Sequence, residues 1–279
     1  MAEMAVGGTA IDAQTYYDEL QGLLTRPLST EFLEASVMLA VIVRIRPSKA
    51  ARNLQKLRGR FAALEALPVF EAFEQRIKHY LAPVVLTNHG YHEHNFAGAD
   101  HSAIWTRVDS HLRILRRAGY EVFLNSGTLL GVVRDARLID HDDDIDLAVM
   151  LDATTRQEAA DEWRNLRKVL QDLGLLERDV PGMPGIYKLK PAGNVEIDLF
   201  LAWIERDRAF VYPHTNGSLT AAQVLALQPC ALTGQAIPVA PELMLAENDG
   251  PEWRHPDPFF KFPWAAANKR FAPFLERLA

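Results

Sequence analysis

The chain has 279 residues, of which 48% are hydrophobic and 24% are charged, and its formal net charge is −6. This composition is that of an ordinary folded protein and excludes an intrinsically disordered or fibrous one. The negative charge argues against a dedicated nucleic-acid binder, whose footprint is an excess of basic residues. Because Cys230 is the single cysteine, neither an intrachain disulfide nor a multi-cysteine zinc site can form.

The sequence shows no pattern of a membrane span or a secretory leader. A span needs roughly 20 consecutive apolar residues, whereas the longest apolar run, at residues 35–43, ends before Arg44 and Arg46. The first 30 residues carry four acidic side chains instead of the basic start of a signal peptide. We therefore expect a cytoplasmic protein, which agrees with the single cysteine.

Helical periodicity dominates the first third of the chain. Apolar residues recur every three to four positions between residues 13 and 81, and Ser29 before two glutamates is typical of a helix start. Residues 88–102, rich in glycine, histidine and asparagine, predict a connecting loop. We therefore predict a helical N-terminal region at residues 1–87 and a second domain at residues 88–279.

The second domain alternates helices with strands. The predicted elements are a helix at residues 102–118, a strand at 121–124, a short helix at 129–133, a strand at 145–151, a helix at 155–173, and strands near 187–190 and 195–203. This alternation predicts the mixed α/β (α+β) class, with a mixed sheet flanked by helices.

The sharpest feature is the acidic run Asp140-His-Asp-Asp-Asp-Ile-Asp146, which leads into an apolar strand. Residues two apart in a strand share a face, so Asp144 and Asp146 should project together while Ile145 enters the core. Adjacent carboxylates repel each other, and a hard divalent cation such as Mg²⁺ or Mn²⁺ offsets that repulsion. The alternative is a solvated acidic turn, because acid clusters are usually surface features.

Two further segments complete the pattern. Asn125-Ser126-Gly127-Thr128 falls between a strand and a helix, where small residues let backbone N–H groups and a hydroxyl approach phosphate oxygens. Taken alone, this tetrad is more typical of an ordinary turn. The strand near residues 195–200 offers a third carboxylate, Glu196 or Asp198, both on its polar face. The order of strand, Ser-Gly turn, helix and acidic strand is similar to the nucleotidyltransferase signature.

Three basic side chains are candidates to neutralise phosphate. Arg134 directly follows the short helix and precedes the acidic strand, while Lys188 and Lys190 lie on the strand before Asp198. The alternative for all three is a surface role, since exposed strand lysines usually serve solubility.

These motifs resemble those of a known family. The stretch Ser126-Gly-Thr-Leu-Leu-Gly-Val-Val-Arg134, continued through Leu138-Ile139 to the acidic run, is similar to the signature of the LicD family. Its members include phosphocholine transferases and fukutin-type ribitol-phosphate transferases. The element Gly250-Pro-Glu-Trp-Arg-His-Pro256 resembles the family's C-terminal Gly-x-x-Trp-x-x-Pro element. Two departures are His141 and Asn248-Asp249, where the family usually has tryptophan and tyrosine.

The resemblance implies roles for individual residues. It selects Asp198 over Glu196, and it implies metal ligation by Asp142, Asp144, Asp146 and Asp198, of which the last three are expected to be catalytic. It also implies phosphate contact by Ser126 and Gly127. The residue patterns themselves add Thr128, Arg134 and Lys188 as substrate-binding candidates.

The resemblance implies transfer of a phospho-alcohol, of the phosphocholine, ribitol phosphate or glycerol phosphate type, from a CDP-activated donor. The acceptor is expected to be a hydroxyl of a cell-surface glycan or its lipid-linked precursor, and the cofactor Mg²⁺ or Mn²⁺. Two other functions remain open. A glycosyltransferase using a nucleotide sugar could carry an Asp-x-Asp metal motif, although the Ser-Gly turn and Asp198 argue against it. A catalytically silent binding module is the other, and the full set of acids argues against that.

A basic segment lies in the N-terminal region. Seven basic residues and no acidic one occur there: Arg44, Arg46, Lys49, Arg52, Lys56, Arg58 and Arg60. The segment predicts peripheral contact with an anionic surface such as the inner face of a membrane. The alternative is an ordinary solvated helix face.

A histidine cluster is the last signal. His89, His92 and His94 lie beside Glu93, and alternate histidines in an extended segment can hold zinc. The polar loop lacks cysteine and the helical His-Glu-x-x-His spacing. It therefore favours hydrated side chains or an acceptor entrance over a zinc site.

Overall fold

The computed structural model describes residues 3–6, 9–24, 26–86, 90–92, 96–140, 142–256, 260 and 262–278. The chain divides into two compact units. The first comprises residues 1–95 with 257–261, and the second residues 96–256 with 262–279. Each unit has a hydrophobic core of its own.

The described part of the N-terminal unit contains four helices and two short antiparallel strand pairs. Its elements are β1 (Glu3–Val6), β2 (Thr9–Asp12), α1 (Ala13–Gly22), α2 (Thr30–Ile42), α3 (Pro47–Ala63), α4 (Leu67–Leu81), β3 (Val85–Leu86) and β4 (Tyr91–His92). Ser29 caps α2 as its position predicts, because its hydroxyl accepts a hydrogen bond from the Phe32 N–H at 3.1 Å. The strand pairs β1–β2 and β3–β4 are additions to the predicted helices.

The core of the N-terminal unit lies between α2, α3 and α4. Leu33, Leu57 and Phe73, one from each helix, are at most 3% exposed. Residues 35–42 of the apolar run belong to α2, which is 13 residues long, and Val43 is its C-cap. Among the helices in the described part of the chain, none combines the length and apolar character that a membrane crossing requires.

The second unit alternates helices and strands. Its elements are α5 (His101–Arg117), β5 (Glu121–Leu124), α6 (Ser126–Leu130), a π-helical turn (Gly131–Asp135), β6 (Asp144–Met150), α7 (Arg156–Asp172), β7 (Leu176–Asp179), β8 (Ile186–Ala192), β9 (Val195–Glu205), β10 (Arg208–Val211), β11 (Thr215–Thr220), α8 (Ala221–Val224), β12 (Gln228–Pro229), β13 (Ala236–Ile237), α9 (Pro241–Asp249) and α10 (Trp264–Leu278).

Seven of these strands form a mixed sheet. Its main path is β11-β10-β9-β6-β5, and β8 also pairs with β9 and carries β7 at its outer edge. The β6–β9 pair is parallel and the others are antiparallel. The predicted class, a mixed α/β fold with a mixed sheet flanked by helices, is confirmed.

Strand β9 organises the sheet because it is long enough to serve three neighbours. One edge pairs with β6, while β8 and β10 share the other edge. Its first half, from Val195 to Leu199, alternates buried apolar residues with the more accessible acids Glu196 and Asp198. Its second half, the apolar run Phe200-Leu-Ala-Trp203, is buried without alternation, as expected where both faces are covered.

Several predicted boundaries shift in the structure. The short helix begins at Ser126, earlier than predicted, and passes into the π-helical turn instead of ending at Val133. Strand β4 lies within the segment predicted as a loop. Strands β7, β10 and β11 are missed, because they are short and β11 (TNGSLT) shows no apolar alternation.

Trp203 is a test of the core around β9. Its fully buried ring stacks on Phe210 and Phe274, with ring centroids 4.6 and 4.9 Å away. Because Trp203→Ala removes this packing and leaves a cavity, we expect the free energy of unfolding to fall by about 3–5 kcal/mol. Urea denaturation followed by circular dichroism measures the loss. Leu243→Ala, at a side chain 44% exposed, should change it by less than about 0.5 kcal/mol.

Candidate active site

Four acidic side chains share one face of the sheet where β6 runs parallel to β9. The register places Asp144 opposite Glu196 and Asp146 opposite Asp198. Side chains alternate between the two faces of a strand, so the residues between these acids point into the core. Ile145 and Ile197 between the acids, and Leu147 and Leu199 directly after them, are all 0% exposed. The predicted common face of Asp144 and Asp146 is therefore present.

The carboxylates form two overlapping groups. In one group, oxygen atoms of Asp144, Asp146 and Asp198 all lie within 4.8 Å of one another. In the other group, oxygen atoms of Asp142, Asp143 and Asp144 meet the same limit. All four predicted metal ligands are thus brought together through Asp144, and Asp143 joins them without having been predicted.

Burial and mutual repulsion raise the pKa of Asp142, Asp146 and Asp198. For Asp146 the main cause is burial, followed by the charges of Asp144, Asp142 and Asp198. Burial is also the main cause at Asp142. At Asp198, burial and the charge of Asp144 raise the pKa to about 6, against the lowering effect of Lys188. Such crowded carboxylates are a donor set that suits a hard divalent cation, so the residues present fit Mg²⁺ or Mn²⁺.

The Ser-Gly turn is fastened to β6 by three hydrogen bonds. The Asn125 N–H donates to the backbone oxygen of Asp146 at 3.0 Å. The Gly127 N–H donates to Asp146 Oδ2 at 2.9 Å, and the Asp146 N–H donates to Thr128 Oγ1 at 2.9 Å. Both groups are predicted to contact phosphate, but in this structure the Gly127 amide orients the Asp146 carboxylate and the Thr128 hydroxyl accepts from the Asp146 backbone.

Gly127 meets a steric requirement of the same turn. A Cβ at this position would lie 2.9 Å from Asp142 Oδ2 and 3.4 Å from Asp146 Oδ2. Any other residue would thus displace the Asp142 carboxylate and crowd that of Asp146. The neighbouring Ser126 adopts a left-handed conformation with φ of 43°, which is uncommon for a residue with a side chain.

Ser126 contacts a residue that the sequence did not indicate. Its Oγ lies 2.8 Å from His214 Nε2, although the two residues are 88 positions apart. His214 is 4% exposed, and burial together with Arg270 lowers the pKa of its imidazole to about 3. The ring is therefore neutral at pH 7. No local pattern links the two residues, because β10 and β11 bring them together only in the folded sheet.

The three basic candidates differ in their surroundings. The Lys188 Nζ lies 2.6 Å from both Asp198 Oδ1 and Glu196 Oε2, within the acidic face. Arg134, on the π-helical turn, donates two hydrogen bonds to Asp135 at 2.8 and 2.7 Å. Lys190 is exposed at the surface. Lys188 is thus the candidate that the structure brings to the carboxylates.

Part of the predicted pattern lies outside the described residues. This holds for His89, Glu93, His94 and His141, and for the side chain of His92. The acceptor-entrance interpretation of the histidine cluster therefore stays a prediction.

Residues 119–239 match the family model described as LicD/FKTN/FKRP, nucleotidyltransferase domain. The chain carries a LicD-family domain. The matched residues include the Ser-Gly turn and both acidic strands, so the resemblance seen in the sequence is confirmed for this domain. The N-terminal unit and the Gly-x-x-Trp-x-x-Pro element at residues 250–256 lie outside the match.

Outside this domain match, the similarity of the chain to known proteins is distant. No curated protein sequence matches the chain. Among solved structures, the antibiotic-resistance factor ANT(2'')-Ia is similar to it at 13% sequence identity and a TM-score of 0.36, over 64% of this chain and 89% of that one.

Asp146→Asn tests the repulsion within the LicD domain. The pKa of Asp146 is raised in the folded protein, so its ionised form opposes folding above pH 4, and the penalty grows as the pH rises. The amide retains an oxygen to accept from Gly127. In EDTA at pH 8 we expect the variant to melt higher by about 2–4 °C or more, with a smaller difference at pH 5.

Thermal scanning at both pH values measures this effect. Asp172→Asn, a matched change at an exposed position, should leave the melting temperature unchanged. If the metal-free Asp146→Asn protein is less stable than the wild type at pH 8, then repulsion between the carboxylates does not destabilise the fold.

Proposed function

We propose that this protein is a magnesium-dependent transferase that moves a phospho-alcohol from a CDP-activated donor to a hydroxyl of a cell-surface glycan or its lipid-linked precursor. The phospho-alcohol is of the phosphocholine, ribitol phosphate or glycerol phosphate type. The observation that carries the proposal is the convergence of Asp144, Asp146 and Asp198 within 4.8 Å inside a LicD-family domain. Mn²⁺ is the alternative cofactor.

In the proposed reaction, the acceptor hydroxyl oxygen attacks the β-phosphorus of the donor. A new P–O bond forms, the bond from the β-phosphorus to the bridging oxygen breaks, and CMP leaves. Asp142, Asp144, Asp146 and Asp198 would hold the cation, which supplies stabilisation of negative charge on the phosphate oxygens. One of these carboxylates would also accept the hydroxyl proton.

The proposed donor-binding residues divide into two kinds. Gly127 and Thr128 act through Asp146, because their polar groups hydrogen-bond to it. Ser126, Arg134 and Lys188 are proposed to face the donor. Lys188 is the best supported of them, because its ammonium lies against Asp198 and an ammonium attracts phosphate.

Calorimetric binding of CDP, UDP and ADP, with and without Mg²⁺, tests the proposal without an acceptor. We expect Mg²⁺ to strengthen CDP binding in the wild type. In Asp146→Asn this enhancement should fall by about 100-fold or more, since changes in the outer partners of metal ligands alone cost 10–100-fold in metal affinity.

The outcome with other nucleotides discriminates between functions. A Mg²⁺-dependent preference for UDP would support a glycosyltransferase, and the absence of nucleotide binding would support a silent binding module. Asp172→Asn serves as the control, because it changes an exposed carboxylate of α7 and should bind CDP as the wild type does.

We also propose that the protein docks peripherally on an anionic membrane surface at its cytoplasmic face. The support is the basic segment of the N-terminal unit, in which Arg44, Arg46, Arg52 and Lys56 are exposed. The other basic residues of the segment are partly buried. Lys49, for example, donates to Gln21, and Arg60 donates to the Leu28 carbonyl. The proposal therefore rests on the four exposed basic residues.

Co-sedimentation with vesicles containing phosphatidylglycerol tests this docking. The double variant Arg52→Glu/Lys56→Glu should weaken membrane partitioning by at least about 30-fold, since each lost basic residue contributes ~1 kcal/mol near an anionic surface and the glutamates add repulsion. Arg76→Glu/Lys78→Glu makes the same change of charge at exposed positions of α4 and should bind far more like the wild type. Equal loss in the two variants would show a general charge effect and contradict docking through α3.

A further inference from the structure

Lys188 belongs to a row of residues that crosses three strands. It lies opposite Asp198 in the β8–β9 pair, and Asp198 lies opposite Asp146 in the β9–β6 pair. The side chains of Lys188 and Asp198 are each only 14% exposed. The lysine therefore belongs to the acidic face itself and is not a solvated residue at its margin.

The contacts of the ammonium group are with proposed metal ligands and their neighbour. The Nζ atom lies 2.6 Å from Asp198 Oδ1 and 4.0 Å from Asp144 Oδ2, two of the three carboxylates that converge. It also lies 2.6 Å from Glu196 Oε2, a carboxylate that is 48% exposed. The ammonium thus contacts both the ligand group and an anion at its edge.

Two electrostatic consequences follow from this position. Without a cation, the ammonium compensates part of the repulsion between carboxylates on a largely buried face. With a cation at Asp144, Asp146 and Asp198, two positive charges would compete for the same oxygens, and like charges this close repel each other strongly. The same side chain thus favours the cation-free state and opposes cation binding.

We propose that Lys188 is an internal counter-ion that sets the affinity of the acidic face for its divalent cation. It holds Asp198 when no cation is bound and gives up that carboxylate when a cation binds, while Glu196 retains the ammonium at the edge of the site. Glu196 is then a partner of Lys188 and not a metal ligand. This inference rests on the proposed cation site, but not on the identity of the donor or acceptor.

The test uses Mg²⁺ titration calorimetry without nucleotide, together with thermal melting in EDTA, on the full chain. Lys188→Met removes the charge and keeps most of the side-chain volume. We expect this variant to bind Mg²⁺ about tenfold more tightly, the equivalent of a difference of one pKa unit or ~1.4 kcal/mol, and to melt lower in EDTA. Lys188→Arg retains the charge and should stay close to the wild type in both measurements.

Lys190→Met is the matched control, because it removes a lysine two positions away on the same strand, where the side chain is exposed. We expect it to change the Mg²⁺ affinity less than about twofold, the range of weak surface charge effects. Tighter binding in Lys188→Met, even if the wild type binds too weakly to measure, supports the counter-ion role.

Two results would overturn the inference, and they can be told apart. If the wild type binds Mg²⁺ and a folded Lys188→Met protein binds it equally or more weakly, the counter-ion role is wrong and the cation site stands. If neither protein binds Mg²⁺ or Mn²⁺, the cation site and the counter-ion role both fail. If Lys188→Met does not fold, Lys188→Gln replaces it. We expect Lys188→Gln to bind Mg²⁺ more tightly than the wild type, and an unchanged or weaker affinity would show that the counter-ion role is wrong.

Discussion

The parallel register between β6 and β9 is the constraint on which the site depends. It places Asp146 beside Asp198, and Asp144 beside Glu196, on one face of the sheet. A slip of one residue would turn Asp198 into the core and expose Ile197, because successive side chains point to opposite faces. The apolar residues on the other face therefore hold the register that assembles the acids. One face of the β6–β9 pair packs in the core, and the other face carries the acids of the site.

The assembled carboxylates are energetically unfavourable without a counter-charge, and the surrounding structure counters this at several points. The Ser-Gly turn supplies the Gly127 N–H to the Asp146 carboxylate. Because Gly127 has no Cβ, the turn also leaves room for the carboxylates of Asp142 and Asp146. Lys188 supplies positive charge from a third strand. The remaining repulsion is seen in the raised pKa of Asp142, Asp146 and Asp198. A site held in this way gains stability when a ligand neutralises it, since binding to the folded state alone shifts the folding equilibrium.

The two acidic strands differ in how much of their role the sequence pattern alone predicts. Strand β6 combines alternating acids with a long apolar run, so period-two alternation alone predicts that Asp144 and Asp146 share one face. The choice of Asp198 over Glu196 needed the family resemblance, because both residues lie on the same face of β9. The sequence predicts that Gly127 and Thr128 contact phosphate, whereas the folded turn shows that their polar groups bond to Asp146.

The sequence by itself determined the fold class, the LicD-family domain and the faces of the acidic strands, because these follow from short-range alternation and from contiguous motifs. Tertiary structure decided which strands become neighbours and in which register. It therefore decided the contact of Lys188 with Asp198 and the approach of His214 to Ser126. Strand pairing joins residues that are distant in the chain, and its register depends on the packing of the whole sheet. No local pattern carries that information.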